Sequence, residues 1–329
     1  MGRPYESEMS SLPSTYEWAQ NADIIGLAKA LRRGASLPLI AIGSGGSFTT
    51  AAFTADCHEF LCRHVAKAVT PLELGTTTAK KEAGYVILSA GGKNRDILAA
   101  FRHLLEVEPV SVVILCTSIG SPLAELASAH SWVDVIEFEL PTGKDGFVAT
   151  NSLLASCSLL ARAFAEATGR VVSLPNRLTD LVALPTGTPL DPLPPTLQAA
   201  LGRDTLLVMH DYTTRAAALD LESKFSEAAL GPVQVCDIRS FAHGRHHWLA
   251  KRGDSTGILA IHARESSALV HRTTRLLPHT IPLADVVVED DRIVGALGAI
   301  VDALYIAGAA GRLRGIDPGR PGVPPYGSR

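Results

Sequence analysis

Short runs of valine, isoleucine and leucine alternate with longer amphipathic segments along most of the chain. In the first half, the runs that predict strands cover residues 37–43, 66–73, 84–90, 111–117 and 133–140. Segments with a helical spacing of apolar residues lie at 47–62, 94–107, 121–130 and 147–168. Strand runs without alternating polar residues are expected where both faces of a sheet are covered. The pattern therefore predicts an α/β protein with parallel sheets built from βαβ units.

A proline-rich connector separates this half from a second one of similar outline. Six prolines fall within residues 175–195, a density that neither a helix nor an inner strand accommodates. Strand runs then recur at 204–210, 233–238, 256–263 and 280–289, and helical patterns at 214–230, about 266–276 and about 293–310. We therefore expect an N-terminal extension at 1–21, a first domain at 22–174, a linker at 175–195, a second domain at 196–310 and a C-terminal tail at 311–329.

Composition and charge exclude several classes of function. The 329-residue chain has a net charge of −3, so it lacks the basic surface of a nucleic-acid-binding protein, and it has no polybasic run that would bind a membrane. Its five cysteines form no C-x-x-C pair and are expected to be reduced and mostly buried. The N-terminus lacks the apolar core of a signal peptide, and the most apolar helical stretch, residues 151–167, is too short to span a bilayer. We expect a cytoplasmic protein without nucleic-acid or membrane partners.

Three glycine-containing turns stand where predicted strands lead into helices. They are "GSGGSFTTA" (43–51), "LSAGGKNRD" (88–96) and "PTGKDGFVATNS" (141–152). In an open parallel sheet, ligands bind at such turns, where backbone N–H groups, hydroxyls and cations can hold an anion. One such turn alone could simply cap a helix, but three on one predicted rim favour a small phosphorylated ligand.

Nucleotide cofactors fit these turns poorly. A complete G-x-G-x-x-G is absent, and the next strand run contains Glu73 as its only acidic residue. No Gly-Lys-Ser/Thr follows the first turn, which excludes a P-loop. We therefore expect no cofactor.

The second half contributes a cluster of ionisable residues. One helix face carries three ionisable residues at i, i+4 and i+7, namely Asp220, Lys224 and Glu227. This face is either a solvated stripe of salt bridges or part of a site. The stretch "FAHGRHHW" (241–248) holds three histidines without clustered acidic or cysteine ligands, so a metal site is disfavoured. An acid–base role for one histidine is favoured instead, because imidazole titrates near neutral pH.

From about residue 22 to the C-terminal region, the chain resembles the double-SIS proteins of the sugar isomerase superfamily. These are typified by the isomerase half of glucosamine-6-phosphate synthase and by fructosamine-phosphate deglycases. "GSGGSFTTA" stands at the family's Gly-Thr-Ser phosphate loop and "LSAGGKNRDI" at its Ser-Gln-Ser-Gly-Glu-Thr-x-Asp-Thr loop. "GKDGFVATNSLLA" is similar to the segment around Glu-x-x-Val-Ala-Ser-Thr-Lys. "ALDLESKFSEAALG" matches Ala-Leu-Glu-x-x-x-Lys-x-x-Glu, and His243-Gly244 follows Glu227 by sixteen residues, as the catalytic His-Gly does in the family.

The resemblance implies two tandem SIS domains, each a flavodoxin-like αβα sandwich. It implies an aldose–ketose isomerase, or a related deglycase or deaminase, that acts on an anionic sugar through an enediol or enolamine. Glu227 would be the base that moves a proton between C1 and C2, His243 would assist ring opening, and Lys224 and Asp220 would organise the site. This chemistry needs a carboxylate base beside the carbon acid and a proton donor for the ring oxygen. The substrate or phosphate contacts that it implies are Gly45, Ser47, Ser89, Gly91, Lys93, Asn94, Arg95 and Thr150.

In double-SIS relatives the site lies between domains, and the residue at the position of His243 often comes from the partner subunit. The resemblance therefore implies a homodimer with its site near the subunit interface. The chain departs from the family at Gly91 and Asn94, which replace a serine and a threonine, and no lysine stands in the C-terminal tail, where Arg320 is the nearest cation. A non-catalytic sugar-phosphate sensor is one alternative, and a lyase like the single-SIS etherases is another. The retained Asp220, Lys224, Glu227 and His243 favour an enzyme.

Overall fold

The computed structural model describes residues 2–76, 79–184, 193–289 and 292–322, and the chain divides into two compact units. The unit called here the N-terminal unit comprises Pro13–Lys144 and Asn151–Arg177. The C-terminal unit comprises Met1–Leu12, Asp145–Thr150 and Leu178–Arg329. The chain therefore contributes its first residues and one short internal segment to the C-terminal unit, which differs from the consecutive domains expected from the sequence. Part of the proline-rich connector, residues 185–192, and the tail beyond residue 322 lie outside the described residues.

The N-terminal unit is built on a five-stranded parallel sheet. Its strands are β1 (Leu39–Ile42), β2 (Ala66–Val69), β3 (Gly84–Ser89), β4 (Ser111–Cys116) and β5 (Val133–Glu137). They are arranged in the order β2-β1-β3-β4-β5, which is the flavodoxin-like order. The five strand runs predicted from the hydrophobic pattern are confirmed, with ends that shift by a few residues.

Helices cover both faces of this sheet. They are α1 (Tyr5–Asn21), α2 (Ile25–Gly34), α3 (Gly46–Cys57), α4 (Pro71–Thr76), α5 (Arg95–Val107), α6 (Pro122–Ala127) and α7 (Asn151–Thr168). A π-helical turn, His58–Cys62, extends α3, and the first residues of α1 belong to the C-terminal unit. Tyr85 and Ile87 of β3 share a core with Phe101 of α5, while the alternate residues Val86 and Leu88 are buried on the other face. Burial on both faces explains the continuous apolar runs.

The C-terminal unit contains a four-stranded parallel sheet. Its strands are β6 (Thr205–His210), β7 (Val233–Asp237), β8 (Thr256–Ala263) and β9 (Leu283–Val288), in the order β7-β6-β8-β9. Its helices are α8 (Pro195–Leu201), α9 (Arg215–Glu227), α10 (Ile238–Ala242), α11 (Leu249–Arg252), α12 (Ser267–Thr274) and α13 (Arg292–Arg314). Short 3-10 turns lie at Leu178–Asp180, Arg245–Trp248, Gly253–Ser255 and Arg264–Ser266. The structure is thus an α/β fold with two parallel sheets flanked by helices.

Helix α13 corrects one expectation from the sequence. Among the described residues it is the one helix long and apolar enough to cross a membrane, so the most apolar helix is α13 and not α7. Its apolar window is completely buried, because α13 packs against α9 and the strands of the C-terminal sheet. A buried core helix of this composition is not evidence of a membrane span.

The cysteines behave as the sequence predicts. All five are free thiols, and four of them are buried, while Cys62 is half-buried. Cys116 ends β4 and lies 3.8 Å from the hydroxyl oxygen of Ser121. Burial raises the pKa of the Cys116 thiol to about 11, so the thiol is protonated at neutral pH.

Candidate functional site

The first two glycine turns lie side by side at the carboxyl edge of the N-terminal sheet. Strands β1 and β3 are parallel neighbours, and Ile42 near the end of β1 pairs with Ile87 of β3. In the strand order β2-β1-β3-β4-β5, the chain moves outward in opposite directions from these two strands. This is the topological switch point, where open α/β sheets form a crevice for ligands.

The turn after β1 brings a helix N-terminus and a free hydroxyl to this edge. Gly43 permits the close backbone approach, since a Cβ there would lie 2.2 Å from the carbonyl oxygen of Ser47. Gly45 has φ 55°, a conformation that favours glycine, and α3 begins immediately after it. The half-buried Ser47 makes no side-chain hydrogen bond within the described chain. Its hydroxyl and the first N–H groups of α3 are therefore available to an anion.

The turn after β3 is held by its own polar side chains. The Ser89 hydroxyl oxygen accepts a hydrogen bond from the Gly92 N–H at 3.1 Å. Asn94 caps α5, because its side-chain oxygen accepts from the Asp96 N–H at 2.8 Å. Gly91 is half-buried, and a Cβ there would lie 3.7 Å from the aliphatic part of the Lys93 side chain. Ser89 and Asn94 thus shape the turn through local hydrogen bonds.

Two cations project from the same turn. Lys93 and Arg95 are exposed, and neither has an ion-pair partner among the residues that the structure describes. A pair of unneutralised cations next to the N-terminus of α3 gives this edge of the sheet a positive character.

A third turn at this edge, after β4, was not predicted as part of the site. Glu137 at the end of β5 accepts hydrogen bonds from the backbone N–H groups of Gly120 at 2.9 Å and Ser121 at 3.0 Å. Burial by itself would raise the pKa of Glu137, but the hydrogen bonds from Ser121 and Gly120 outweigh it and lower the pKa. Ser121 caps α6 and packs on Gly92, where a Cβ would lie 2.6 Å from the Ser121 side chain. The Ser-Pro signal of a helix start at 121–122 could have located this turn.

Asp220 and Lys224 of α9 form a buried ion pair in the C-terminal unit. The Lys224 ammonium lies 2.6 Å from both carboxylate oxygens of Asp220, and the two residues are 2% and 0% exposed. A solvated stripe is therefore wrong for these two residues. Buried ions of this kind are rare, and they require a partner because desolvation is costly.

Glu227 and His243 are both exposed. Glu227 is the last residue of α9, and its carboxylate accepts a hydrogen bond from the Ser223 hydroxyl at 2.7 Å. His243 follows α10, and its backbone N–H donates to the carbonyl of Arg239 at 3.0 Å. Gly244 has φ 152° and turns the chain directly after His243. Within the described residues, no three His, Cys, Asp or Glu side chains are grouped as metal ligands.

Thr150 lies in the Asp145–Thr150 segment of the C-terminal unit and is completely buried. Its hydroxyl donates to Asp145 at 3.1 Å, and its backbone N–H donates to the same carboxylate at 2.9 Å. Asp145, which the sequence did not single out, therefore determines the conformation at the end of this segment.

A second polar cluster lies at the carboxyl edge of the C-terminal sheet, and the sequence analysis missed it. Asp211 after β6 accepts from the Ala263 N–H at 2.8 Å and from the Thr214 N–H at 3.1 Å, so it joins β8 to the start of α9. The buried His262 has one ring nitrogen 2.8 Å from the Asp285 carboxylate and the other 2.7 Å from the Ala263 carbonyl. Burial lowers the pKa of His262, but these hydrogen bonds outweigh burial and the pKa is raised. The Asp-x-x-Thr spacing before α9 was a readable capping signal.

Comparison with known proteins identifies the fold. No protein-family model matches the chain, and no curated protein sequence matches it significantly. Among solved structures, glucosamine-6-phosphate deaminase from Thermotoga maritima superposes with a TM-score of 0.75 at 15% identity, covering 98% of this chain and 97% of that one. The C-terminal domain of glucosamine-fructose-6-phosphate aminotransferase from Francisella tularensis gives 0.68 at 12% identity, covering 96% and 97%.

Tagatose-6-phosphate ketose/aldose isomerase from Escherichia coli gives a TM-score of 0.67 at 16% identity, covering 97% of this chain and 95% of that one. At these identities the similarity shows the fold alone. The chain has the fold of these three proteins, and the fold that the sequence resemblance implies is therefore confirmed.

Proposed function

We propose that the chain is an enzyme that acts on a phosphorylated or otherwise anionic sugar, by aldose–ketose isomerisation or a related deglycase or deaminase reaction. One observation carries this proposal. At the switch point of the N-terminal sheet, the free hydroxyl of Ser47 and the N-terminus of α3 lie beside a turn with two unneutralised cations, Lys93 and Arg95. Such a set of donors suits a phosphate group.

Each predicted binding residue receives a role in this proposal. Ser47, Lys93 and Arg95 contact the anion directly, and Gly45 and Gly91 allow the backbone to approach it. Ser89, Asn94 and Thr150 maintain the conformation of the three loops, since their side chains already bond to Gly92, Asp96 and Asp145.

The proposed chemistry proceeds through an enediol or an enolamine. Glu227 removes the proton from C2 and returns it to C1, and His243 transfers the proton of the ring oxygen during ring opening. The exposed carboxylate of Glu227 is accessible to a substrate, and its hydrogen bond from Ser223 orients it. The buried Asp220–Lys224 pair links two successive turns of the helix from which Glu227 projects.

The motif resemblance also supports three finer proposals. The two units are tandem SIS domains, the protein acts as a homodimer with its site near the subunit interface, and it works in the cytoplasm without a cofactor. A monomeric, active species in analytical ultracentrifugation would contradict the homodimer.

A non-catalytic sugar-phosphate sensor is the second candidate. The observation in its favour is the replacement of a phosphate-binding serine by Gly91, together with the absence of a lysine from residues 315–329. Binding alone would still use Ser47, Lys93 and Arg95.

A two-stage experiment separates the candidates. A thermal-shift screen with hexose 6-phosphates, amino-sugar 6-phosphates and their unphosphorylated forms is expected to raise the melting temperature for a phosphorylated sugar only. Solvent-deuterium exchange at C2 of the bound sugar, followed by NMR, then tests catalysis. Glu227→Gln is expected to keep binding and lose exchange, whereas Glu222→Gln, an exposed neighbour on the same helix, is expected to keep both. Binding without exchange in the wild type would identify a sensor, and exchange at the wild-type rate in Glu227→Gln would contradict the assigned base.

A further inference from the structure

The first residues of the described chain pack against its last described residues. The Arg320 guanidinium donates to the Gly2 carbonyl at 2.7 Å, and the backbone N–H groups of Tyr5 and Gly319 both donate to Asp317, at 3.0 and 2.9 Å. A Cβ on Gly319 would lie 2.1 Å from the Arg3 carbonyl oxygen, so the two backbones are in direct contact. The start of α1 is therefore fixed from the C-terminal side.

Glu8 extends this arrangement to the Asp145–Thr150 segment. Its residue surface is only 2% exposed, and its carboxylate accepts a hydrogen bond from the Gly146 N–H. Gly146 lies against the N-terminal residues, because a Cβ there would be 2.8 Å from the Arg3 backbone nitrogen. One carboxyl group of α1 thus holds the backbone of the third candidate binding loop at Gly146, directly after Asp145, whose carboxylate accepts the hydrogen bonds from Thr150.

The same turn of α1 also contacts the helix layer of the C-terminal unit. The Tyr5 hydroxyl donates to the Leu304 carbonyl of α13 at 2.9 Å, and a Cβ on Gly308 would lie 3.0 Å from the Tyr5 ring. Burial first, and then the negative charge of Asp220, raise the pKa of Tyr5. The first turn of α1 therefore lies near the buried ion pair of α9 and also against the Asp145–Thr150 segment.

We propose that Glu8 is a positioning residue whose carboxyl group fixes the Asp145–Thr150 segment when protonated and releases it when ionised. This inference rests on the proposed function, because Thr150 of that segment is one of the predicted binding residues. Glu8 does not contact the reacting atoms in this proposal, and it acts through the backbone of Gly146.

The charges around Glu8 explain why ionisation loosens the segment. The pKa of Glu8 is raised to about 7, mainly because the carboxyl group is buried. The negative charges of Asp145 and Asp317 also raise this pKa, whereas the hydrogen bond from the Gly146 N–H and the positive charge of Arg3 lower it. Above pH 7 the side chain is therefore a buried carboxylate with acidic neighbours on the segment and on the C-terminal stretch. Opening the segment hydrates this charge, so the open form gains population as the pH rises.

Amide hydrogen exchange of the ligand-free full chain tests this directly. After correction for intrinsic exchange rates, protection of residues 146–150 in the wild type is expected to fall roughly ten-fold between pH 6 and pH 8, as follows from a pKa near 7 when closed and near 4.5 when open. Glu8→Gln keeps the acceptor without the charge, so its protection is expected to be independent of pH. Glu8→Ala removes the acceptor and is expected to exchange rapidly at both pH values. Glu6→Gln, an exposed neighbour on α1, is the control and should behave as the wild type.

A purely structural role for Glu8 would still separate the glutamine and alanine variants, but it would leave protection of residues 146–150 in the wild type independent of pH. A wild-type pH dependence in Glu8→Gln, or wild-type protection in Glu8→Ala, would overturn the proposal.

Binding of glucosamine 6-phosphate, measured by calorimetry at pH 7 and pH 8, separates this proposal from the proposed function. If the wild type binds, its affinity is expected to fall more steeply with pH than that of Glu8→Gln. If amide hydrogen exchange behaves as expected but no sugar phosphate binds, the proposed function is refuted. The positioning role of Glu8 would then still hold. Binding with unchanged exchange in the two Glu8 variants would refute the role of Glu8 alone.

Discussion

The ammonium of Lys224 lies 2.6 Å from both carboxylate oxygens of Asp220, and water reaches neither side chain. Removing Lys224 takes the ammonium away from a carboxylate that stays buried. Lys224→Met is therefore expected to lower the free energy of unfolding by about 3–5 kcal/mol, measured by urea denaturation. The double variant Asp220→Leu/Lys224→Met is expected to recover most of this loss. Equal destabilisation in the single and double variants would show that the charge pairing is not the cause. Lys29→Met, at an exposed lysine of α2, is the control and should stay within about 0.5 kcal/mol of the wild type.

Asp302 is a buried carboxyl group that makes stability depend on pH. It accepts hydrogen bonds from the backbone N–H groups of Ala183 at 3.0 Å and Leu184 at 3.1 Å, and burial raises its pKa to about 7. Because the pKa of Asp302 is raised in the folded state, its protonation stabilises the fold. This contribution to the free energy of unfolding is complete below the unfolded pKa of 3.8 and is lost as the pH rises through about 7. The Asp302 contribution to the free energy of unfolding is expected to fall by about 2 kcal/mol between pH 5.5 and pH 8. Asp302→Asn should flatten the pH profile by this amount in urea titrations, and an unchanged slope would contradict the assignment.

Both ring nitrogens of His262 face acceptors, the Asp285 carboxylate and the Ala263 carbonyl, and these contacts raise the pKa of His262. Asp285→Asn removes the negative partner and is expected to lower the pKa of His262, measured by NMR titration of the ring protons. Because the pKa of His262 is raised in the folded state, its contribution to stability is present at low pH and is lost as the pH rises through that value. Asp254→Asn, at an exposed position of the same unit, serves as control. An identical titration in both variants would show that Asp285 does not hold the proton on His262.

Lys93 and Arg95 should determine the affinity for the anionic group. Lys93→Met and Arg95→Met are each expected to weaken binding of the phosphorylated sugar by about five-fold, or about 1 kcal/mol, and to reduce its dependence on salt. Lys81→Met, an exposed lysine outside the turns, should bind as the wild type does. Calorimetric titrations at two salt concentrations measure both effects. Unchanged affinity in the two turn variants would place the anion elsewhere.

The strands of both sheets could be predicted because burial on both faces leaves continuous apolar runs, and these runs carry most of the fold. The helix α1 was not predicted, since Pro13 inside it and a polar surface interrupt the helical pattern that α5 shows clearly. Membership of Asp145–Thr150 in the C-terminal unit depends on contacts with the chain ends, which no local pattern contains.

In the candidate site, the glycines indicated where the turns lie. They did not indicate which side chains of those turns make local hydrogen bonds. Asn94 and Thr150 look from the sequence like two equivalent ligand contacts. The structure instead makes Asn94 the N-cap of α5, which its place before the predicted helix at 94–107 could have indicated, and it pairs Thr150 with Asp145. The burial of Glu8 and Asp302 was unreadable because a carboxylate in a polar stretch is exposed by default.

The buried, protonated thiol of Cys116 can be used to detect movement of the turn that carries Ser121. With a pKa of about 11, only about one thiol in ten thousand is a thiolate at pH 7, and the side chain is covered by the turn that carries Ser121. Alkylation of Cys116 should therefore become faster as the open population of this turn increases. A ligand that closes the carboxyl edge of the sheet would be detectable as protection of a single sulfur atom, before its chemical identity is known.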